Sequence, residues 1–498
     1  MLQGTVVASR WPGVTAGAHI GRAARVRNAA ALQAAVDRAA SAGRFFELEP
    51  GLFEIESELG LVVPAADAFR WQGSTASHIR QFADNAPILS VGDTQHGRTY
   101  TGRLRLSGFR LDYARHQHGQ PRSTALRLGL LTGCVIEDGF VSPAYDERGS
   151  SADAFRGLHV TSGRTATGFF SNTLRDLHIA GAGHCVLNLS IFGSGNLFQN
   201  VYVKQSGSPP GPRPVAAGLM LLDGRGTQQE GVFEQCNFEW ASGRTMLQLE
   251  NVRNLTFLSC HFEGLELTGR QPALLRLANA EAQLSACTFQ EISTDAAQGE
   301  GEAALCKLWG QNRLTANGLH LEWNAASRVR RPLRVVGIAA GGPVDAEPQV
   351  RLSDISVTDD AGDNQLSVTL DDRIAEPVPG LLEEYRRGAL FSTLRGGRLA
   401  VGPDHTHYGY HADAVLVCPA IPLRSCVVVL SNRVRADGPG AALPVPTGAL
   451  VTVIREAGPP GLPEARVQNH DGRTLLRLAA PGSRAHFRFD GSHWSHVT

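Results

Sequence analysis

The chain has 498 residues, with 47 basic and 47 acidic side chains, and so carries no formal net charge. That balance removes the electrostatic case for nucleic acid or an anionic membrane as partner, and no run approaches the roughly 18 apolar residues needed to span a bilayer. Eight cysteines in so long a chain, with no C-x-x-C pair, do not describe a disulfide scaffold.

Residues 1–28 are rich in Gly, Ala and Arg, lack a clear period, and read as an arm that needs a partner to be ordered. Met1–Val14 shows no charged start followed by an apolar run, so synthesis in the cytoplasm without a signal peptide is expected. Ala29–Ala42 then places Leu32, Ala35, Val36 and Ala39 on one helical stripe that stops at Gly43. Phe45–Leu52 follow as a strand and turn. A short amphipathic helix at this point suits the cap that the open end of a solenoid requires.

Further along, one four-residue pattern keeps returning: CNFE at 236–239, CHFE at 260–263, CTFQ at 287–290 and LHLE at 319–322. Apolar and mostly polar positions alternate, the period of a strand with one buried face. FRLD, GFVS, LHIA and VYVK extend the column upstream and ISVT extends it downstream. The first residues of the rungs are Phe109, Gly139, Leu177, Val201, Cys236, Cys260, Cys287, Leu319 and Ile355. The steps run from 24 residues (Cys236 to Cys260) to 38 (Gly139 to Leu177). A minimal coil with excess looped out is what a parallel β-helix allows and a leucine-rich or ankyrin array does not. The expected fold is therefore all-β: a right-handed parallel β-helix over 29–375, capped by the helix at 29–42. Cys236, Cys260 and Cys287 share one inward position and should pack as small apolar side chains. The insertions at 117–123, 145–153 and 206–214 should leave the helix as surface loops, the usual carriers of binding residues.

Residues 376–411 read as a linker or stem. From 412 to 498 short strands (Val415–Cys418, Cys426–Leu430, Leu450–Ile454, Leu475–Leu478, Ala485–Phe489) alternate with Gly and Pro, the pattern of a small antiparallel β-sandwich. Asp490-Gly491 suits a hairpin turn, and the spacing of Cys418 and Cys426 leaves room for a bridge.

The outward fourth position of the rungs carries Asp112, Ser142, Ala180, Lys204, Glu239, Glu263, Gln290, Glu322 and Thr358. Coils stack at ~4.8 Å, which sets Glu239 and Glu263 roughly 5 Å apart. Two carboxylates that close disfavour double ionisation, and about 5 Å is the spacing of a retaining glycosidase pair. Glu263 and Glu322, one further rung apart at roughly 10 Å, come near the inverting range. Glu239, Glu263 and Glu322 are thus the candidate catalytic residues. Lys204, Trp240, His261, Gln290 and Trp323 are the candidate saccharide contacts. The alternative is an ordinary exposed glutamate ladder, structural or in contact with sugar. Trp240 and Trp323 follow Glu239 and Glu322, so strict alternation would turn both indoles into the core. His116, His118, His405, His407 and His411 include H-x-H pairs, but no third ligand is assured, and neither a metal nor a cofactor is expected. Asp138, Arg175 and Asp176 suit interstrand polar roles.

The segment ALQAAVDRAASAGRFFELEPGLFEI (31–55), with RWQGS at 70–74 and ILSVG at 88–92, resembles the opening of the pectate-lyase-like superfamily, with Glu49 where the first proline usually stands. That opening is shared by secreted polysaccharide lyases, polygalacturonase-like hydrolases and phage tailspikes. The end, PGSRAHFRFDGSHWSHV (481–497), resembles the closing strand pair of phage tail fibre and spike proteins. The chain lacks the N-T-D, D-D, G-H-G and R-I-K series of polygalacturonases (Ala182-Gly183-His184 is not G-H-G). It also lacks the calcium-binding aspartates and following arginine of pectate lyases. Together the resemblances imply a phage or phage-derived spike, a homotrimer located in the virion. Residues 1–28 would attach it to baseplate or capsid proteins, 412–498 would trimerise or touch the receptor, and bacterial capsular or lipopolysaccharide would be its target. A free lyase or hydrolase and a purely structural stalk are the alternatives.

Overall fold

The computed structural model describes residues 4–94, 99–115, 117, 123–143, 156–162, 168–182, 185–205, 218–224, 230–294 and 303–323, and beyond these the strands and turns between 328 and 497 given below. It divides into two units, 1–283 and 284–498, taken here in turn.

In the first unit each coil contributes parallel strands to three faces, and the inward positions stack in register from coil to coil. One face carries Val6, Phe46, Trp71, Leu106, Ile136, Leu174, Phe198, Phe233 and Phe257, each opposite the next. A second carries Phe53, Ile79, Leu111, Val141, Ile179, Val203, Phe238 and Phe262. The third carries Leu61, Leu89, Leu126, Leu158, Leu187, Met220, Leu247 and Leu275. All of these side chains are buried. Like residues therefore stack on like, and the core is a bundle of apolar columns. This is the parallel β-helix, wound right-handed as parallel crossovers are.

The first two faces meet at a sharp corner. There the residue before each rung takes a left-handed backbone: Gly108 (φ 70°), Asp138 (54°), Asp176 (54°), Asn200 (52°), Gln235 (52°) and Ser259 (51°). Gly, Asn and Asp accept this conformation most readily. Polar side chains there bond to their neighbours, with Ser107 Oγ donating to Asp138 at 3.1 Å and Asn200 Nδ2 donating to Asp176 at 2.7 Å. The interstrand role expected for the two aspartates is a corner role.

The expected cap is present, but it starts earlier and includes more of the chain. The helix spans Arg22–Ser41, burying Ala29, Leu32, Ala35, Val36 and Ala39 and ending before Gly43 at φ 60°. Alanine and arginine in its first two turns are good helix formers, so it continues upstream of its apolar stripe. Nor does the described part of 1–28 hang free: Thr5–Val7 pairs parallel with Phe45–Glu47. The His19 and Ile20 amides donate to the buried Glu54 carboxylate at 2.9 and 3.1 Å. Asn28, fully buried, donates to the carbonyls of Thr15 and Glu54 and accepts from the Thr15 amide. A strand edge and a buried amide tie this segment to the first coils. No helix among the described residues is long and apolar enough to cross a membrane.

The second unit has coils of its own: Ala303–Trp309, Leu333–Ile338 and Leu366–Leu370 pair in parallel, as do Thr288–Gln290, His320–Trp323 and Ser356–Asp359. The tail forms two four-stranded sheets. Its closing hairpins are antiparallel as expected: Ala465–Asn469 with Thr474–Leu478, and Arg484–Phe489 with Trp494–Val497. Ala414–Cys418 and Leu450–Arg455 nevertheless pair parallel, as do Cys426–Leu430 and Ala465–Asn469. The sheets are therefore mixed, and Arg433–Arg435 and Ala442–Pro444 pair antiparallel in a separate two-stranded sheet. The expected loops at 145–153 and 206–214, most of the stem at 376–411, His116, His118, His184 and His411 lie outside the described residues, as do the side chains of His405, His407, Cys418 and Cys426. Cys236, Cys260 and Cys287 are buried free thiols.

Candidate functional site

Two outward columns run down the second face of the first unit. The fourth rung positions place Lys204 opposite Glu239, and Glu239 opposite Glu263. The second positions place Arg110, Phe140, His178, Tyr202, Asn237 and His261 in register. Arg110, Phe140, His178 and Tyr202 form a stack. The guanidinium lies 5.2 Å from the Phe140 centroid, His178 is 4.4 Å from Phe140, and Tyr202 is 4.5 Å from His178 with rings nearly parallel. Burial and then the Lys204 charge lower the His178 pKa to about 4, so its ring is neutral in the stack near neutral pH.

The stack ends at the acids. Tyr202 Oη donates to Glu239 Oε2 at 2.6 Å. Burial first, then this bond and the charges of Glu239 and Glu263, raise the phenol pKa, so the tyrosine keeps its proton. His261 Nδ1 lies 3.7 Å from Glu263 Oε2. Glu239, His261 and Glu263 each present one donor atom within 4.8 Å of the other two. Glu239 is only 8% exposed, whereas Glu263 and His261 are half-buried.

Trp240 departs from strict alternation. Its backbone is left-handed (φ 53°), and its indole is 54% exposed rather than buried. This is a second corner of the coil, repeated at Gly264 (φ 62°). A Cβ on Gly264 would lie 3.0 Å from Cε3 of Trp240, so the indole rests on the glycine of the next coil. A turn at this position sends Ala241 and Leu265 inward and leaves the preceding aromatic on the surface.

The first unit thus brings together Lys204, Glu239, Trp240, His261 and Glu263. Gln290 and Glu322 belong to the second unit, opposite each other in register, with His320 Nε2 3.8 Å from Glu322 Oε2. The Trp323 side chain lies outside the described residues. Tyr202, His178, Phe140 and Arg110 were not among the sequence candidates. Reading the second position of each rung beside the fourth would have found them.

No protein-family model matches the chain, and no curated protein matches it. Among solved structures it is similar to the Acinetobacter phage vb_AbaP_AS12 gp42 tailspike, at 11% identity over 71% of this chain and 62% of that one, TM-score 0.46. A second is the Dettilon tailspike protein, at 12% identity over 70% and 69%, TM-score 0.37. PfbA, a surface adhesin of Streptococcus pneumoniae, is similar at 12% identity over 99% and 100%, TM-score 0.38. The match therefore spans about three fifths of the Acinetobacter phage tailspike.

Proposed function

We propose that this chain is a phage or phage-derived virion spike whose β-helix flank binds a bacterial surface polysaccharide. The observation that carries the reading is Trp240, an exposed indole laid flat over Gly264 beside the Glu239–Glu263 pair. A flat aromatic face packs against the C–H face of a sugar ring, while the adjacent carboxylates and Lys204 bond hydroxyls. The closing strand pair Arg484–Phe489 and Trp494–Val497 carries the resemblance to spike C-termini, and the trimer and virion placement are proposed with it. Attachment would use the capped N-terminal end of the β-helix, since Thr5–Val7 is already part of its sheet.

The test is binding of the purified chain to capsular and lipopolysaccharide from a panel of bacteria. Trp240→Ala should weaken binding about tenfold or more, a loss of roughly 1.4 kcal/mol, without changing the melting temperature. A wild-type chain that binds none of a broad panel would leave the stalk reading. Cleavage is the second reading, favoured by Glu239 and Glu263 standing in register on adjacent coils near the retaining distance. It predicts released reducing or unsaturated ends. Binding without release makes the protein an adhesin.

A further inference from the structure

Four carboxylates among the described residues are buried: Glu54, Asp112, Glu137 and Glu239. Three are compensated. Glu54 accepts two backbone amides, Asp112 is held by Arg80 and His78, and Glu137 is held by Arg105 and Arg175. A buried carboxylate without such partners is costly. Glu239 has a single hydrogen bond, from the neutral phenol of Tyr202 to Oε2, and a second carboxylate, Glu263, in register beside it. Lys204, its register neighbour on the other side, forms no ion pair with it, and its charge bears on His178. The buried Glu239 carboxylate thus meets one neutral donor, an acid and an imidazole, each presenting an atom within 4.8 Å of the others.

We propose that Glu239, His261 and Glu263 hold a divalent first-row transition-metal cation, Zn²⁺ or Mn²⁺, with its remaining coordination positions open to the groove. One imidazole nitrogen and two carboxylates suit that class better than Ca²⁺, which takes six to eight oxygens. Ligands of one such ion, each about 2.0–2.2 Å from it, lie roughly 3–3.5 Å from one another. Donors now within 4.8 Å need draw in by only an ångström or so. Tyr202 orients the Glu239 carboxylate through Oε2, the outer hydrogen bond that metal-binding carboxylates use. The open positions would take hydroxyl or carboxylate oxygens of a bound saccharide. That last step rests on the proposed function, whereas cation binding does not.

The experiment is calorimetric titration and thermal melting of the metal-stripped full-length chain with Zn²⁺ and Mn²⁺, and with Ca²⁺ and Mg²⁺ for comparison. One site per chain and a raised melting temperature are expected with Zn²⁺ or Mn²⁺. His261→Ala and Glu263→Gln, at half-buried positions, should each lower affinity at least tenfold while their metal-free melting temperatures stay at the wild-type value. Glu239→Gln should do the same, but its burial makes the other two variants decisive. The chain has 17 histidines, His261 among them, and the others offer Zn²⁺ other places, so the variants fix the site. No binding by the wild type, preference for Ca²⁺, or His261→Ala binding as tightly as wild type would overturn the proposal. Glycan binding measured on the same stripped protein separates the two claims: retained binding without a cation site leaves the spike reading standing.

Discussion

Glu137 is gripped by guanidiniums from the coils on either side, Arg105 and Arg175. Burial alone would push its carboxyl pKa up, but the two arginines outweigh it and hold the acid below its ordinary 4.5. A depressed folded pKa gives stability that is present above the unfolded value and lost as pH falls through the folded one. Glu137→Gln should cost about 1–3 kcal/mol at pH 7 and flatten part of the loss below pH 4.5, read from urea midpoints against pH. His178 acts in a higher window. The unfolded ring binds a proton near 6.5, whereas the folded one waits until about 4. Its contribution is therefore full above 6.5, declines between 6.5 and 4, and declines no further below. His178→Phe should keep the stack and reduce the decline between 6.5 and 4 in the melting curves by the share of that ring. His159, which burial lowers to about 3, extends the same trend and should be left intact as a control. Gly139 shows why a rung can carry no side chain. A Cβ there would sit 2.3 Å from the Phe109 ring and 2.8 Å from Leu177, so the coils on either side fill its place.

Among the elements, the cap has the clearest test. Asn28→Ala would strip partners from the Thr15 amide, the Thr15 carbonyl and the Glu54 carbonyl at a buried point. Unmade buried hydrogen bonds cost about 1–3 kcal/mol each when the group cannot reach water. The segment 4–21 should then become cleavable by dilute protease while the coils keep their circular dichroism. At the second corner, Gly264→Val would strain a left-handed backbone and press on the Trp240 ring. It should change the near-ultraviolet tryptophan signal and, on the proposed function, weaken glycan binding as expected for Trp240→Ala. These two elements also mark where the sequence was legible. Alternation in CNFE and CHFE gave the strands, their register and the Glu239–Glu263 pairing, because a buried face has period two. Alternation cannot see a left-handed residue that ends it, so the sequence alone leaves Trp240 open between a saccharide contact and the core. Nor does a hydrophobic stripe reveal a polar anchor such as Asn28, which is buried because it satisfies three backbone groups.

For the first unit as a whole, stability should spread by neighbours, because each coil touches only those above and below it. Phe233 stacks on Phe198 at 4.5 Å and on Phe257 at 5.1 Å, fully inside the column. Phe233→Ala should cost about 3–5 kcal/mol. Hydrogen exchange should quicken first in Asn196–Gln205, Gly231–Glu234 and Leu255–Leu258, with the capping helix little changed. Uniform loss of protection across 4–283 would mean that the unit unfolds as one body.

The repeated corner from Gln235 to Ser259 makes a coil a countable part. Both ends of that stretch have the same backbone conformation and the same place in the register, so excising 235–258 would rejoin like to like and splice Asn200 beside Ser259. Such a shortened chain would keep its columns and lose one tick of about 4.8 Å from its outer face. The face is in effect a ruler graduated in coils. If that face binds a polymer as proposed, lineages that gain or lose a coil would change the length it spans without having to invent a new fold.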